Sequence, residues 1–398
     1  MRVHDALPLN TEQKIGVSTR TPLPSNGIFK QNAMLELDSV SKKVGNSLHI
    51  NNVSLALEKG SLNVLLGPTL AGKTSLMRLM AGLDAPTSGD VFVNGKKVTG
   101  HGVRKRNVAM VYQQFINYPA MTVYENIASP LRLKGESKPN IDKKVREAAE
   151  LMKLTEFLER TPLNLSGGQQ QRTALARALV KQAELVLLDE PLANLDYKLR
   201  EELRVELPRL FAETGAVFVY ATTEPHEALL LGGRTATLHR GAITQFDTTI
   251  DVYNSPVNLQ TAQTFSDPPL NTVGVQLQSG ALTNEAGNFG YLPGTGGASA
   301  LADGRYTLAF RPHHVSLTQT STHSVAVTAT VGTSEITGSE TYIHVTCAGA
   351  PWVALTHGVQ RVNNGDEITL YLNPARYYIF KDSDGSLAHA PSFDTKAA

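Results

Sequence analysis

The sequence predicts two folded units in tandem: an α/β unit built on a parallel sheet and interrupted by a helical block, then an all-β unit of barrel or OB-like type. Three observations carry this. The run Gly67-Pro68-Thr69-Leu70-Ala71-Gly72-Lys73-Thr74 stands between an apolar stretch, Leu62 to Leu66, and apolar residues Leu76, Leu79, Met80 and Leu83 at the spacing of one helix face. Leu185-Val186-Leu187-Leu188-Asp189-Glu190 reads as a buried strand with two carboxylates at its carboxyl end, where open parallel sheets bind ligands. Beyond about Gln245, helical periodicity gives way to short alternating runs parted by Gly, Asn and Thr.

A chain of 398 residues has room for two or three domains, and 41% apolar with 18% charged residues is ordinary for a globular protein. The formal net charge of +1 gives no overall field toward nucleic acid or an acidic membrane surface, and no nucleic acid is expected as a partner. The single cysteine, Cys347, follows the alternating segment Thr341 to Thr346 and reads as a small buried hydrophobe, which suits a reducing compartment. No apolar run approaches the roughly 18 residues needed to span a bilayer, and the N-terminus lacks a signal-peptide core, so a membrane role is expected to be peripheral.

Residues 1–33 are polar, carry Pro22, Pro24 and Gly27, and are expected to form a disordered tail, with Met34 a candidate start. Strand alternation begins at Leu35 and Leu37 and resumes at Val53, Leu55 and Leu57 after an expected Asn51-Asn52 turn. The glycine turn after Leu66 would aim backbone N–H groups and a helix N-terminus at polyphosphate. Lys73 would reach the outer phosphates, and the Thr74 hydroxyl would sit on a magnesium ion. Val91 to Gly95 reads as a strand entering a tight turn, and Val108 to Tyr112 as a strand ending at Gln113.

From Phe115 to about Val180 the pattern is helical, most periodic from Ile141 to Leu158, as an inserted subdomain would be. It ends in Leu165-Ser166-Gly167-Gly168-Gln169, where Ser166 is placed to cap a helix whose N-terminus faces an anion. Asp189 would hold magnesium through water and Glu190 would orient or deprotonate the attacking water; the alternative is two solvated acids capping the next helix. Leu192 to Asp196 follows, and the strand Ala216 to Thr222 runs into Thr223-Glu224. In the last third, a short helix is expected near Ile250 to Val252 and strands at Tyr306 to Phe310, Val325 to Val331, Thr341 to Val345 and Glu367 to Leu372. Gly287 to Gly304 is the loosest stretch, and His313-His314 reads as a surface pair because no further ligand stands at metal-site spacing.

Taken together, the phosphate loop, Gln113, LSGGQ at Leu165 to Gln169, Asp189-Glu190 and Asn194-Leu195-Asp196 resemble the nucleotide-binding subunits of ATP-binding cassette (ABC) transporters, in order and spacing. The resemblance implies a P-loop ABC ATPase domain at 34–245 with its helical subdomain at about 115–180, a C-terminal OB-like domain of TOBE/MOI type at 246–390, and tails at 1–33 and 391–398. Phe310-Arg311-Pro312 and Asn373-Pro374 resemble points in the appended β domain of carbohydrate importers; Gln113 to Pro119 and the loop Gly67 to Gly72 resemble bacterial glycerol or glycerol-phosphate importers.

What the resemblance implies is a peripheral ATPase on the cytoplasmic face of the bacterial inner membrane, docked through Tyr118 to Ile127 on transmembrane permease subunits and served by an extracytoplasmic solute-binding protein. Two cassettes would close head to tail on two ATP molecules with magnesium. Each ATP would lie on Gly67 to Thr74 and Ser75 of one chain and on Leu165, Ser166, Gly167, Gly168, Gln169 and Asp196 of the other, with Gln113 touching the metal and water. Two positions depart from the family pattern: Val44 stands where an aromatic residue usually underlies adenine, and Thr223 where a histidine usually contacts the γ-phosphate. Both favour a heterodimer with a second ABC ATPase that retains those residues. The rival readings are a degenerate subunit that mainly completes its partner's site and a soluble, non-transport ABC ATPase.

Overall fold

The computed structural model describes residues 33–193, 195–285, 287–291, 301–347 and 349–391. Of the expected tails, all but Ala33 and Pro391 lies outside these residues, as do Asn194 and positions 292–300 of the loose stretch.

A six-stranded sheet organises the first part, in the order Ala242–Thr248, Arg234–His239, Leu62–Leu66, Val217–Thr222, Leu185–Asp189, Val108–Val111. Its last five strands are parallel and Ala242–Thr248 is antiparallel. Leu185–Asp189 and Val217–Thr222 are buried at every position, as strands covered on both faces must be, which is why they read as unbroken apolar runs. One face is covered by the helix Lys73–Ala81 and by a four-stranded antiparallel sheet formed by Ala33–Val44, Ser47–Glu58, Ser88–Val93 and Lys96–Lys97. The other packs against the helices Val123–Leu133, Lys138–Leu151 and Gly167–Val180.

Two local expectations are corrected. The chain does not turn at Asn51-Asn52; it reverses after Val44 and runs as one strand, Ser47–Glu58. Asn52 takes a left-handed φ of 48° at an irregularity in the ladder, and its N–H donates to Ser41 Oγ at 2.9 Å, so this residue serves a bulge and not a reversal. Nor is the block from Phe115 to Val180 helical throughout. A capping box of Thr122 and Glu125 starts the first helix only at Val123, and the most periodic helix stops at Leu151. Met152, Leu154 and Leu158 continue the apolar period because they stay in the core while the backbone passes into short 3₁₀ turns.

The last third holds two antiparallel sheets facing one another. One has the order Gly287–Tyr291, Ala281–Asn284, Asn271–Gln278, Gly304–Phe310, Tyr378–Lys381, Leu387–His389; the other Val315–Ser316, Glu367–Leu372, Val325–Ile336, Glu340–Cys347, Ala350–His357. Their shared core includes Val275, Leu308, Ile343 and Leu370, with the ring of Phe310 edge-on to Trp352 at 4.9 Å. Cys347 lies in this core at 4% exposure, and burial pushes its thiol up to about 11. His313 is exposed and His314 half-buried against it.

The helices Thr249–Asn254 and Leu259–Thr264 link the two parts. The first matches the short helix expected near Ile250 to Val252; the second, equally six residues long, has no counterpart among the expected elements. Arg311, 2% exposed, clasps them: it donates to the carbonyls of Phe265 at 2.8 Å and Tyr253 at 2.7 Å, and its guanidinium lies 3.7 Å from the Tyr253 ring centre. Among the described residues no helix is long and apolar enough to cross a membrane.

Candidate active site

The parallel register aligns the carboxyl ends of four strands. Leu66 pairs with Thr222, Asp189 with Ala221, and Val111 with Leu188, so Gly67, Thr223, Glu190 and Gln113 all emerge at one end of the sheet. The loop from Gly67 to Gly72 begins there with Gly67 N–H donating to Thr222 O at 3.3 Å and closes with Leu76 N–H on Gly72 O at 2.9 Å. Two of its glycines are obligatory. A Cβ on Gly67 would stand 2.6 Å from Leu238 O, and one on Gly72, at φ 106°, 2.9 Å from His49 O. Between them Leu70, also left-handed at φ 68°, is 95% exposed, and Thr69 is exposed beside it.

Lys73 is 5% exposed, and its ammonium donates to Gly67 O at 2.8 Å and Pro68 O at 3.2 Å while standing 3.6 Å from Glu190 Oε1. Burial lowers its pKa, opposed by the charges of Glu190 and Asp189. Thr74 donates its hydroxyl to Asp189 Oδ2 at 2.7 Å, and Asp189, 2% exposed, has its pKa raised by burial against that hydrogen bond. Glu190 accepts from Gln113 Nε2 at 2.9 Å and holds a left-handed φ of 46°, its N–H donating to Ala221 O at 3.0 Å. A non-glycine residue in that region is strained, and two neighbouring strands fix it there.

One side of the site therefore gathers a buried cation, a hydroxyl, two carboxylates and an amide. The hydroxyl, carboxylate and amide oxygens of Thr74, Asp189 and Gln113 make a hard-oxygen donor set that suits magnesium. Lys73, ion-paired with Glu190 at 3.6 Å and resting on two carbonyls, is placed to exchange those carbonyls for phosphate oxygens. Thr223 is exposed at the strand end, and His226 is exposed in the first turn of the helix Pro225–Leu231. Val44, 52% exposed, ends the hairpin whose other arm carries His49 against Gly72.

The second group of predicted residues stands apart. Ser166 caps Gly167–Val180 in a reciprocal box with Gln169, at 3.3 Å and 2.9 Å, leaving Ser166 and Gly167 exposed over a buried Leu165. Gln113, Gln114, Phe115, Ile116 and Gly167 line an open cleft of about 570 Å³. Asp196 caps the helix Tyr197–Thr214 through Leu199 N–H at 3.0 Å. No hydrogen bond among the described residues joins Leu165 to Gln169 or Asp196 to the phosphate loop of the same chain.

Some polar anchors carried no sequence signal. Asn126, fully buried, receives Tyr118 N–H at 2.8 Å and donates to Tyr118 O at 3.1 Å, while Arg177 donates to Ile116 O and lies 5.0 Å from the Tyr118 ring. On a periodic helix both read as ordinary polar positions.

Known proteins resemble this chain over most of its length. The family model described as ABC transporter matches residues 50–193, and that described as TOBE domain matches residues 308–380. The trehalose/maltose import ATP-binding protein of Thermococcus litoralis is 34% identical over 89% of this chain and 99% of its own. The sn-glycerol-3-phosphate import ATP-binding protein of Salmonella typhi is 35% identical over 89% and 99%. The osmoprotective compounds uptake ATP-binding protein of Synechocystis is 33% identical over 87% and 97%. Among solved structures, a dimeric bacterial ABC transporter cassette superposes with a TM-score of 0.51 at 30% identity, over 54% of this chain and 99% of the other. With a phosphate loop, a paired-carboxylate strand and a capped signature helix on one framework, and relatives matched nearly end to end, this chain belongs to the ATP-binding subunits of ABC transporters of the carbohydrate-importer type and is an ATPase.

Proposed function

We propose that this chain powers import of a small polyol or sugar, with glycerol or glycerol phosphate as the solute, from a peripheral position on the cytoplasmic face of the inner membrane. The solute reading rests on the resemblance of Gln113 to Pro119 and of the phosphate loop to glycerol-type importers, and on relatives named for glycerol 3-phosphate alongside others named for disaccharides. The constellation of Lys73, Thr74, Asp189, Glu190 and Gln113 at one end of the sheet carries the reading of ATP hydrolysis.

In this mechanism the loop N–H groups from Gly67 to Thr74, with Ser75, cradle the phosphates, and Lys73 leaves its two carbonyls for the outer ones. Thr74, Asp189 and Gln113 would hold magnesium directly or through water, and that ion supplies charge neutralisation at the β and γ phosphates. Glu190 orients the attacking water and takes its proton, Gln113 steadying the carboxylate. Ser166, Gly167, Gly168 and Asp196 close on the ATP of a second cassette, so hydrolysis removes what holds the pair shut. The segment Tyr118 to Ile127, pinned by Asn126 and Arg177, meets the permease.

Thr223 and Val44 support pairing with a different ATPase. A threonine hydroxyl stands on a shorter side chain than the imidazole usual at this position and reaches less far toward a phosphate, and Val44 offers no stacking face. Purifying the chain with its permease and screening glycerol, glycerol phosphate and disaccharides for stimulated ATPase tests the solute; equal response to all would remove the glycerol reading. Lys73→Ala tests the site itself: fluorescent ATP analogues should bind the variant at least tenfold more weakly, since a hydrogen bond to a charged group is worth about 1.5–3 kcal/mol. Unchanged binding would overturn the assignment.

A further inference from the structure

Behind the catalytic end of the sheet lies a polar cluster that the mechanism above leaves unused. Arg204, 9% exposed, projects from the helix that Asp196 caps and donates to Glu224 Oε2 at 3.0 Å and Glu227 Oε1 at 3.4 Å. Glu227, 5% exposed, also receives the hydroxyls of Thr222 at 2.6 Å and Tyr220 at 3.1 Å. These contacts make a fixed base. Glu224 sits on it, its N–H donating to Thr222 Oγ1 at 3.0 Å.

A second arginine extends the cluster. Arg200 Nη1 lies 3.9 Å from Glu224 Oε1, and its Nη2 donates to Ala193 O at 3.1 Å and Leu195 O at 3.3 Å. One carboxylate, next in sequence to Thr223, thus accepts a hydrogen bond from Arg204 and stands within ion-pair distance of Arg200, the arginine that holds the carbonyls of Ala193 and Leu195.

We propose that Glu224 is a positioning residue that locks Thr223 to this turn, so that phosphate contact at the chain's own site sets the turn presented to the partner cassette. The proposal rests on the reading given under Proposed function, in which Thr223 faces the chain's own γ-phosphate and Asp196 the partner's site. Its physical basis is geometric. The Glu224 side chain is 43% exposed, and an ion pair in that setting adds little stability. What the two hydrogen bonds of Glu224 to a buried base and its ion-pair contact with Arg200 do supply is a contiguous path between two loops on different elements, the kind of network that carries coupling.

The test uses the full chain assembled with its permease and partner ATPase. Glu224→Ala should lower kcat about tenfold and bring the Hill coefficient for ATP toward one. Equilibrium binding of a fluorescent ATP analogue to the isolated chain, and its thermal midpoint, should stay at wild-type values. Arg200→Met, which cuts the turn from Glu224 but leaves Arg204 in place, should reproduce the loss of cooperativity, and Glu224→Gln, which keeps an acceptor, should recover part of it. A wild-type Hill coefficient in both Glu224→Ala and Arg200→Met overturns the proposal, as does a fall in ATP affinity by the same factor as kcat. Lys73→Ala, run in parallel, separates the two levels: if it still binds ATP the reading of the site has failed, whereas its loss beside an unaffected Glu224→Ala removes the coupling alone.

Discussion

Asp189 is asked to be ionised in a place that disfavours charge. Burial raises its pKa, and in the nucleotide-free chain only the Thr74 hydroxyl and the more distant Lys73 work the other way. A carboxyl whose folded pKa lies above its unfolded one favours the folded state most when protonated, and that contribution is lost as pH rises through the folded pKa. At neutral pH the ionised group is therefore a local penalty that a bound divalent cation would relieve. Asp189→Asn should raise the thermal midpoint of the nucleotide-free chain at pH 7 while abolishing magnesium-dependent hydrolysis. The gain should shrink as pH falls toward the ordinary carboxylate range, where wild type is protonated too. Thermal scans between pH 4 and 7 check the sign; an Asn variant less stable at pH 7 would contradict it. The identities of these residues were legible because each is chemically indispensable at a fixed offset from a glycine or strand end. Their strain was not: nothing in the string foretells the left-handed φ of Glu190, which two neighbouring strands impose.

Elements with one dominant local cause were equally legible. Leu185–Asp189 is buried on both faces and reads as an apolar run; Gly167–Val180 starts at Ser166 because serine and Gln169 form a capping box. Where a long-range partner decides, the sequence misleads. Asn51-Asn52 has turn chemistry, yet Asn51 N–H donates to Gly241 O at 2.9 Å across the fold and keeps the chain extended. In the sequence Arg311 stands out only as part of Phe310-Arg311-Pro312; that it holds two helices by their C-terminal carbonyls depends on long-range packing. Arg311→Leu leaves those buried carbonyls without their cation and should cost about 2–4 kcal/mol. The loss should show as an earlier thermal transition and faster proteolysis between residues 249 and 270, with ATP-analogue affinity unchanged. A variant that melts and digests like wild type would show that the clasp is incidental.

At the scale of the assembled transporter, the proposed pairing with a different ATPase turns on Thr223. A threonine too short to reach the γ-phosphate forfeits a hydrogen bond to a charged group, worth about 1.5–3 kcal/mol, which slows a site roughly tenfold or more, and a homodimer would suffer this at both sites. In a heterodimer the exposed Ser166 and Gly167 would complete the partner's intact site. Ser166→Arg should then stop transport more completely than Glu190→Gln, measured as solute uptake into vesicles; the opposite ranking, or full transport-coupled ATPase from this chain with its permease alone, sinks the heterodimer. Buried Cys347 makes that experiment tractable. Only the thiolate reacts with a maleimide, and a thiol pushed up to about 11 leaves on the order of one molecule in a thousand ionised at pH 8. The folded chain should label slowly and the denatured chain at once. A cysteine introduced at exposed Tyr197 would then be this chain's single fast-reacting handle, so one fluorophore there could follow the cassette closing on its partner without first removing the native cysteine.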